Sequence, residues 1–195
     1  EMYAGLEGLA KSTSISALPP ACTLSEKAIT LGGLSKTFGL PGLRIGWLAC
    51  RDPEFMDRVA ELKDYTTICP AAPSEVLALI ALRARDRIVR EQRARCARGL
   101  AELREFCCNS EFAENFEWVE PAGGPFAFPR LKFPEWETDL AYCEALLQRS
   151  DLNLLAGSLF HWRTDARVRL TFGREGVGTR LDVWADDLRD HGLRS

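Results

Sequence analysis

The hydrophobic pattern of the first seventy residues alternates between short apolar runs and helical spacing. Two runs, residues 28–31 and 45–50, are bounded by glycine and are typical of buried strands in a sheet that is covered on both faces. Asp52 followed by Pro53 predicts the start of a helix, because aspartate caps a helix and proline suits its first position. These elements indicate an α/β layer.

The pattern of apolar and polar residues changes in the second half of the chain. A long helical pattern runs from residue 74 to about residue 108 and is predicted to bend within residues 83–87, where it becomes strongly polar. Short predicted strands and helices follow it: strands at 116–119, 126–131, 152–155 and 168–172, and helices at 138–148 and 178–191. We therefore predict one domain over residues 1–85 and a smaller α+β domain over residues 86–195, led by the long helix.

Composition and charge exclude several classes of protein. The formal net charge is −3, and the eight arginines of residues 83–104 are interspersed with acidic residues and lack interleaved aromatics. This pattern predicts a charged interdomain helix and no nucleic-acid partner. No stretch reaches the roughly 20 apolar residues of a membrane span, so no membrane partner is expected.

Cysteine and histidine usage narrows the compartment and the chemistry. The seven cysteines are odd in number and form no CxxC motif, which favours reduced thiols and a cytoplasmic location. A cysteine–histidine nucleophile pair remains an alternative catalytic site, although cysteines are more often small core residues. His161 and His191 lie far apart without a ligand pattern, so we predict no metal site.

Residues 32–44 carry the main candidate chemistry, between the first two predicted strands. The glycine-rich chain lets backbone N–H groups approach an anion, Ser35 and Thr37 offer hydroxyls, and Arg44 offers a planar cation suited to phosphate. Lys36 lies between apolar Leu34 and Phe38, each two positions away, and near another cation, which favours a lowered pKa and a nucleophilic neutral amine. A phosphate anchor beside an activated lysine is what a pyridoxal-phosphate site requires.

Two other phosphate-binding motifs do not match this loop. A Walker loop needs glycine directly before the lysine and six positions before it, where this chain has Ser35 and Thr30. The dinucleotide fingerprint GxGxxG also fails, because Gly39, Gly42 and Gly46 have the wrong spacing. A structural glycine turn with a surface lysine and arginine remains equally compatible with composition alone.

Five segments, in order, resemble the class I/II aminotransferases, which are fold type I pyridoxal-phosphate enzymes. The cofactor-lysine segment is similar to residues 33–47, GLSKTFGLPGLRIGW, with an arginine eight residues after the lysine and Ile-Gly behind it. The other segments are EMY at 1–3, PAGGPFAF at 121–128, LLAGSLF at 154–160 with Ala156 in place of the family's proline, and VRLTFG at 168–173.

The resemblance implies a fold and a set of roles. The fold would be the end of the large domain, a mostly parallel sheet with helices, followed by the small α+β domain. Lys36 would form the Schiff base with pyridoxal 5'-phosphate and move the α-proton, and Arg44 would bind the phosphate, with Ser35 as a further ligand. Tyr3 would hydrogen-bond the phenolic oxygen of the cofactor. Arg169 would pair with the substrate α-carboxylate, with Arg167 as the competing candidate.

Departures from the family pattern limit the expectation. The family commonly has serine where this chain has Gly33, so Ser35 or a backbone N–H would have to replace that phosphate contact. The aspartate that pairs with the cofactor's pyridine nitrogen would directly precede Glu1, and the phosphate-cradling loop would lie further upstream. The resemblance thus covers the C-terminal half of the family's chain, and we expect the 195 residues alone to be inactive.

The expected activity is amino transfer between an α-amino acid and a 2-oxo acid by a homodimer. The alternative on the same fold is a lyase or cyclase: a carbon–sulfur lyase, an aminocyclopropane-carboxylate-synthase-like enzyme or a capreomycidine-synthase-like enzyme. These share the lysine and both arginines, so the sequence does not separate them. A non-catalytic remnant is the alternative from another class.

Overall fold

A computed structural model describes residues 5–9, 19–132 and 138–192 of the chain. The described residues form two compact units. The first unit contains residues 5–7 and 19–93, and the second contains residues 8–9, 94–132 and 138–192. The division between them falls within one long helix.

The first unit combines one strand pair with helices. The predicted helix start is confirmed, because the Asp52 carboxylate accepts a hydrogen bond from the Phe55 N–H at 3.1 Å. The predicted bend is confirmed too: the long helical pattern breaks at Ala84. The elements are α1 (Ala21–Leu24), β1 (Thr30–Gly33), β2 (Gly46–Ala49), α2 (Pro53–Thr66), α3 (Ala72–Arg83) and α4 (Arg85–Asn109), which continues into the second unit.

The pairing of β1 with β2 is antiparallel, whereas the resemblance implies a sheet that is mostly parallel. The two strands are antiparallel, with Thr30 opposite Ala49 and Gly33 opposite Gly46, and every strand pair among the described residues is antiparallel. The twelve-residue connection folds back on itself through a 3₁₀ turn at Pro41–Leu43. A chain that reverses within one loop needs no crossover helix, and a parallel pair would require one.

Apolar side chains of the first unit stay accessible, whereas the sequence predicted buried strands. Leu31 is 55% exposed and Trp47 of β2 is 40% exposed. The helix α3 exposes a row of apolar residues: Val76, Leu77, Leu79, Ile80 and Leu82. None of the helices in the described residues is long and apolar enough to cross a bilayer.

The second unit packs helices on short antiparallel strands. Helix α5 begins as predicted, because the Thr138 hydroxyl accepts from the Ala141 N–H at 3.1 Å. The strands pair as β3 with β5, and as β4–β7–β6. The elements are β3 (Phe116–Glu117), β4 (Phe126–Ala127), β5 (Arg130–Leu131), α5 (Asp139–Ser150), β6 (Leu155–Ala156), β7 (Val168–Thr171) and α6 (Val177–His191).

Two of the predicted strands of this unit have bounds that differ from the prediction. The single strand expected over residues 126–131 is split, and its two halves pair with different strands, β7 and β3. Pro129 lies at the interruption and has no N–H to donate to a ladder. The strand expected over residues 152–155 begins only at Leu155.

Trp184 of α6 forms the centre of the core of the second unit. Its side chain is fully buried and stacks on Phe106 of α4 at 5.2 Å between ring centroids, while Phe116 meets it edge-on at 5.2 Å. The indole N–H donates to the Tyr142 hydroxyl at 2.6 Å. Burial raises the pKa of Tyr142 well above its ordinary range, so the hydroxyl stays neutral.

Replacing Tyr142 with phenylalanine removes the acceptor of a buried indole N–H. We expect the free energy of unfolding to fall by about 1–3 kcal/mol, because an unsatisfied buried donor keeps its full desolvation cost. Denaturant titration checks this, with Tyr65→Phe as the matched control. Tyr65 is 92% exposed, so its change should stay within about 0.5 kcal/mol. Equal effects of the two substitutions would contradict the assigned role.

Candidate active site

The loop between β1 and β2 holds Lys36 in an ordered turn. The Leu34 N–H donates to the Ile45 carbonyl at 3.1 Å, and the Leu40 N–H donates to the Leu34 carbonyl at 3.0 Å. The Gly39 N–H closes a tight turn onto the carbonyl of Lys36 at 3.0 Å. Leu34 is fully buried and Lys36 is half-buried, so the lysine lies two residues after a fixed anchor.

Glycine is required at two places in this loop region. A Cβ at Gly32 would lie 2.3 Å from the Trp47 indole nitrogen, so a side chain there would displace the ring across the strand pair. Gly39 adopts φ +66°, a conformation that residues with side chains rarely adopt, and its Cβ would meet the Gln92 side chain at 2.8 Å. The glycines therefore set the path of the chain on both sides of Lys36.

Arg44 ends the 3₁₀ turn in a left-handed conformation. Its φ is 55°, which is uncommon for a residue with a side chain, and its guanidinium donates to the Pro41 carbonyl at 3.0 Å. The residue is exposed. The turn thus presents a permanent cation on the same loop as Lys36.

The other residues considered as cofactor ligands differ in burial, and one of them is not described. Ser35 is half-buried and adjoins Lys36, and Gly33 is the last residue of β1. Thr37 is buried with 7% exposure. Tyr3 lies outside the described residues.

Arg169 of β7 is the most unusual cation of the second unit. Its guanidinium lies between two aromatic rings, 4.7 Å from the centroid of Phe126 and 4.8 Å from that of Phe160. Its Nε is buried and has no hydrogen-bond partner within the described residues. Aromatic faces attract a cation but accept no strong hydrogen bonds from it, so the donor capacity of Nε is unused.

Arg167, two residues earlier, has a protein partner at each of its three guanidinium nitrogens. Its Nε and Nη2 donate to the Asp165 carboxylate at 2.7 and 3.2 Å, and its Nη1 donates to the Phe128 carbonyl at 3.1 Å. The guanidinium also stacks over Trp162 at 4.8 Å. Of the two competing arginines, Arg169 is the one whose buried donor lacks a partner.

The residues of both units fit the chemistry of pyridoxal phosphate. A primary amine suits an aldehyde, and the hydroxyls and guanidinium of the lysine loop suit a phosphate. The orphaned Nε of Arg169 suits a carboxylate, which accepts two parallel hydrogen bonds from a guanidinium. A cavity of about 300 Å³ borders Arg169 as well, together with Arg174 and Arg180.

Other chemistries have little support in the described residues. Burial raises the pKa of both Cys107 and Cys143 to about 12, so neither thiol is ionised at neutral pH. All seven cysteines carry free thiols. Over residues 5–9, 19–132 and 138–192, no group of three or more His, Cys, Asp or Glu side chains is arranged to bind a metal ion.

Phe126 and Phe160 were missed by the sequence analysis as contacts of Arg169. Both lie within quoted motif segments, PAGGPFAF and LLAGSLF, but no spacing rule relates them to each other or to β7. The signal was only that each motif contains an aromatic residue. Their role depends on strand pairing, since Phe126 lies opposite Thr171 in the β4–β7 register.

Comparison with known proteins identifies one matching family and several relatives. Residues 1–178 match the family model described as aminotransferase class I and II. Capreomycidine synthase from Streptomyces vinaceus is 28% identical over 167 residues, 85% of this chain and 41% of that protein. An aspartate aminotransferase from Thermococcus kodakarensis is 28% identical over 188 residues, 96% of this chain and 46% of that protein. The chain spans less than half the length of either relative.

Solved structures agree with this result. A PLP-dependent aminotransferase from Streptococcus suis superposes with a TM-score of 0.81 at 26% identity, over 97% of this chain and 47% of that one. The PLP-dependent cyclase OrfR superposes with a TM-score of 0.77 at 29% identity, over 96% of this chain and 48% of that one. The fold, with its mixture of helices and sheets, is that of the fold type I pyridoxal-phosphate enzymes.

The Asp165–Arg167 pair leads to a stability prediction. Hydrogen bonds from Arg167, with a further one from the Trp162 indole, hold the pKa of Asp165 below its usual value. The ionised carboxylate therefore stabilises the fold above the ordinary pKa of about 3.9, and this contribution is lost as the pH falls through the lower folded-state pKa. Asp165→Asn should lower the free energy of unfolding by about 1–2 kcal/mol at pH 7.

Denaturant titrations at pH 7 and at pH 3 check this prediction. The gap in the free energy of unfolding between wild type and Asp165→Asn should be smaller at pH 3 than at pH 7, because more of the Asp165 carboxylate is protonated at the lower pH. The matched control is Asp182→Asn on the exposed surface of α6, which should change stability by less than about 0.5 kcal/mol. A gap that widens on acidification would contradict the pairing.

Proposed function

This chain belongs to the class I and II aminotransferase family, and we propose that it serves amino transfer between an α-amino acid and a 2-oxo acid. Pyridoxal 5'-phosphate is the cofactor of the family. The observation that carries the proposal is the buried, unpartnered Nε of Arg169 between two aromatic rings. A site built to receive a carboxylate leaves such a donor for its substrate.

Lys36 is proposed as the residue that holds the cofactor covalently and moves the α-proton. When bound, pyridoxal phosphate supplies an electron sink for the bonds around the substrate Cα. Lys36 Nζ is a primary amine on a loop fixed by three backbone hydrogen bonds. In its neutral form this nitrogen takes a proton from Cα, and in its charged form it returns one.

The phosphate and ring contacts are proposed for the rest of the loop and the N-terminal segment. Arg44 carries a permanent charge at the end of an ordered turn, and Ser35 adjoins the lysine with a hydroxyl donor. Ser35 or a backbone N–H would replace the contact that a serine at Gly33 provides elsewhere in the family. Tyr3 is proposed to donate to the phenolic oxygen of the cofactor, on the resemblance of its segment alone.

The substrate α-carboxylate is assigned to Arg169 and not to Arg167. Arg167 already has Asp165 and the Phe128 carbonyl as partners, so a substrate would have to displace an existing ion pair. Arg169 offers a buried Nε–H donor that no described residue uses, beside two aromatic rings. A carboxylate can pair with this guanidinium without displacing an existing ion pair.

A cyclase or lyase that uses the same residues is the second candidate. The observation that favours it is similarity to capreomycidine synthase and to the cyclase OrfR, at 28% and 29% identity. Lys36, Arg44 and Arg169 act on groups that every α-amino acid presents, so both candidates use them identically. The carbon–sulfur lyase and aminocyclopropane-carboxylate-synthase-like reactions fall in the same class.

A homodimer and a cytoplasmic location are also part of the proposal. The homodimer follows from the resemblance to the family. The cytoplasmic location is supported by seven free thiols, which persist in a reducing compartment. The expected partners are therefore amino-acid and 2-oxo-acid substrates and a second copy of the chain.

The first test is reduction with borohydride followed by peptide mapping, run on the native protein that contains this chain. Label on Lys36, together with amino transfer from amino-acid donors to 2-oxo acids, is the expected result. Lys36→Ala should abolish both, while Lys27→Ala, at an exposed lysine, should abolish neither. Release of pyruvate or ammonia without amino transfer would favour the lyase instead. No labelling of Lys36 would support a non-catalytic remnant.

The same labelling distinguishes the isolated 195-residue chain. We propose that this chain alone is inactive, because the aspartate expected to support the pyridine nitrogen would precede Glu1. Scattered label on Lys11, Lys27, Lys63 and Lys132 without turnover is the expected result. Stoichiometric label on Lys36 with measurable turnover would overturn this proposal.

The second test replaces Arg169 with lysine in the native protein. Lysine keeps the charge but loses the fork geometry of the guanidinium. We therefore expect kcat/KM to fall roughly 30- to 1000-fold, a loss of about 2–4 kcal/mol of transition-state stabilisation, mainly because KM rises. Cofactor absorbance should be retained. Arg167→Lys is the comparison variant: it leaves the proposed carboxylate ligand in place, so it should lower kcat/KM by less than Arg169→Lys does, while it lowers thermal stability through the loss of the Asp165 and Phe128 contacts. A larger kinetic effect at Arg167 than at Arg169 would reverse the assignment.

A further inference from the structure

A short 3₁₀ turn, Gly157–Phe160, carries the outer of the two rings that enclose Arg169. The inner ring, Phe126, belongs to β4 and is fixed by pairing with β7. Phe160 belongs to no strand, and its side chain is 44% exposed. Something other than burial must therefore hold this ring 4.8 Å from the guanidinium.

One backbone–backbone hydrogen bond and the side chain of Asp139 connect the turn to the start of β7. The Gly157 N–H donates to the Arg167 carbonyl at 2.7 Å, which ties the turn to the residue before β7. The buried carboxylate of Asp139 accepts from the Ser158 N–H at 3.1 Å and from the Arg167 N–H at 3.4 Å. One carboxylate thus joins the turn to the approach of the strand that bears Arg169.

Gly157 allows the turn to approach closely. A Cβ at this position would lie 3.0 Å from the Arg167 Cβ and 3.1 Å from the Phe128 ring. Both distances are shorter than ordinary van der Waals contact. The turn therefore packs directly on Phe128 and Arg167, and a residue with a side chain would push it away.

Phe128 supports the exposed ring from behind. It meets Phe160 edge-on, with 6.4 Å between centroids and an interplanar angle of 89°. It also meets Trp162 edge-on, at 5.8 Å and 88°. These are the geometries that aromatic pairs prefer, and each ring restrains the next.

Asp165 and Arg167 lock the far end of this aromatic chain. The Trp162 indole N–H donates to the Asp165 carboxylate at 2.6 Å, and the same carboxylate accepts from Arg167. Arg167 in turn donates to the Phe128 carbonyl and stacks over the Trp162 ring. Phe128 and Trp162 are thus fixed through polar contacts that need no deep burial.

From these contacts we infer that Phe160, supported by Phe128, Trp162 and the Asp165–Arg167 pair, is a positioning residue that fixes the Arg169 guanidinium for carboxylate binding. The inference rests on the proposed role of Arg169 as the carboxylate ligand. Phe160 holds the guanidinium plane without occupying its hydrogen-bonding edge, since an aromatic face competes for no N–H group. A carboxylate then meets a cation whose orientation is already set.

A purely structural role for Phe160 predicts something different. A ring that is 44% exposed contributes little to the core, so its loss should cost little stability. If the ring only covers surface, its loss should also leave Arg169 unchanged. The two roles therefore differ in the behaviour of the guanidinium and not in the melting temperature.

The test compares Phe160→Leu, Phe160→Tyr and Leu159→Ala in the native protein with ¹⁵N-labelled arginine. Leu159 is the matched control, because it lies in the same turn and is 54% exposed. The readouts are hydrogen exchange at the Arg169 Nε–H, identified by its absence in Arg169→Lys, and the dissociation constant for propionate. Propionate carries a carboxylate but no amino group that could react.

Phe160→Leu should accelerate exchange at Nε–H about tenfold and weaken propionate binding by about 5- to 20-fold, as expected for loss of one cation–π contact. Phe160→Tyr keeps the ring and should restore both values, and Leu159→Ala should change neither by more than about twofold. Unchanged exchange in Phe160→Leu would overturn the inference. Faster exchange with unchanged propionate binding would instead refute the carboxylate role of Arg169, and with it this part of the proposed function.

Discussion

A guanidinium whose buried Nε has no hydrogen-bond partner within the described residues is the constraint around which the aromatic cluster of the second unit is arranged. Burying a charge is costly unless something compensates for it, and Arg169 obtains that compensation from the faces of two aromatic rings. The strand pairing of β4, the turn before Trp162 and the ion pair of Arg167 all hold those rings in place. The unsatisfied Nε is then available to a ligand and is not lost to a neighbouring carboxylate.

The lysine loop solves a related problem by different means. A half-buried amine must be presented on a chain that cannot drift, and the first unit achieves this with glycine and backbone hydrogen bonds. Trp47 packs against Gly32 so closely that no side chain fits between them, and Leu34 is fully buried beneath the turn. The chemistry proposed for Lys36 and Arg44 therefore depends on residues that carry no reactive group.

Local patterns predicted local structure well, whereas pairing required the fold. The caps at Asp52 and Thr138 and the break at Ala84 followed from residue types within a few positions. The antiparallel pairing of β1 with β2 and the split at Pro129 depend on which segments meet, which periodicity does not encode. The same holds for the site: the sequence indicated Lys36, Arg44 and Arg169 but not the rings of Phe126 and Phe160.

The mixture of aminotransferases and cyclases among the relatives follows from what these side chains contact. Lys36, Arg44 and Arg169 are proposed to act on an amino-acid Cα, a cofactor phosphate and an α-carboxylate, which are common to every reaction of an amino acid on this cofactor. Which bond at Cα breaks depends on how the substrate is oriented, and in the proposed role Arg169 helps set that orientation by holding the carboxylate end of the substrate. A guanidinium held by aromatic rings, and not by a protein carboxylate, suits that task because its N–H groups are left for the substrate carboxylate.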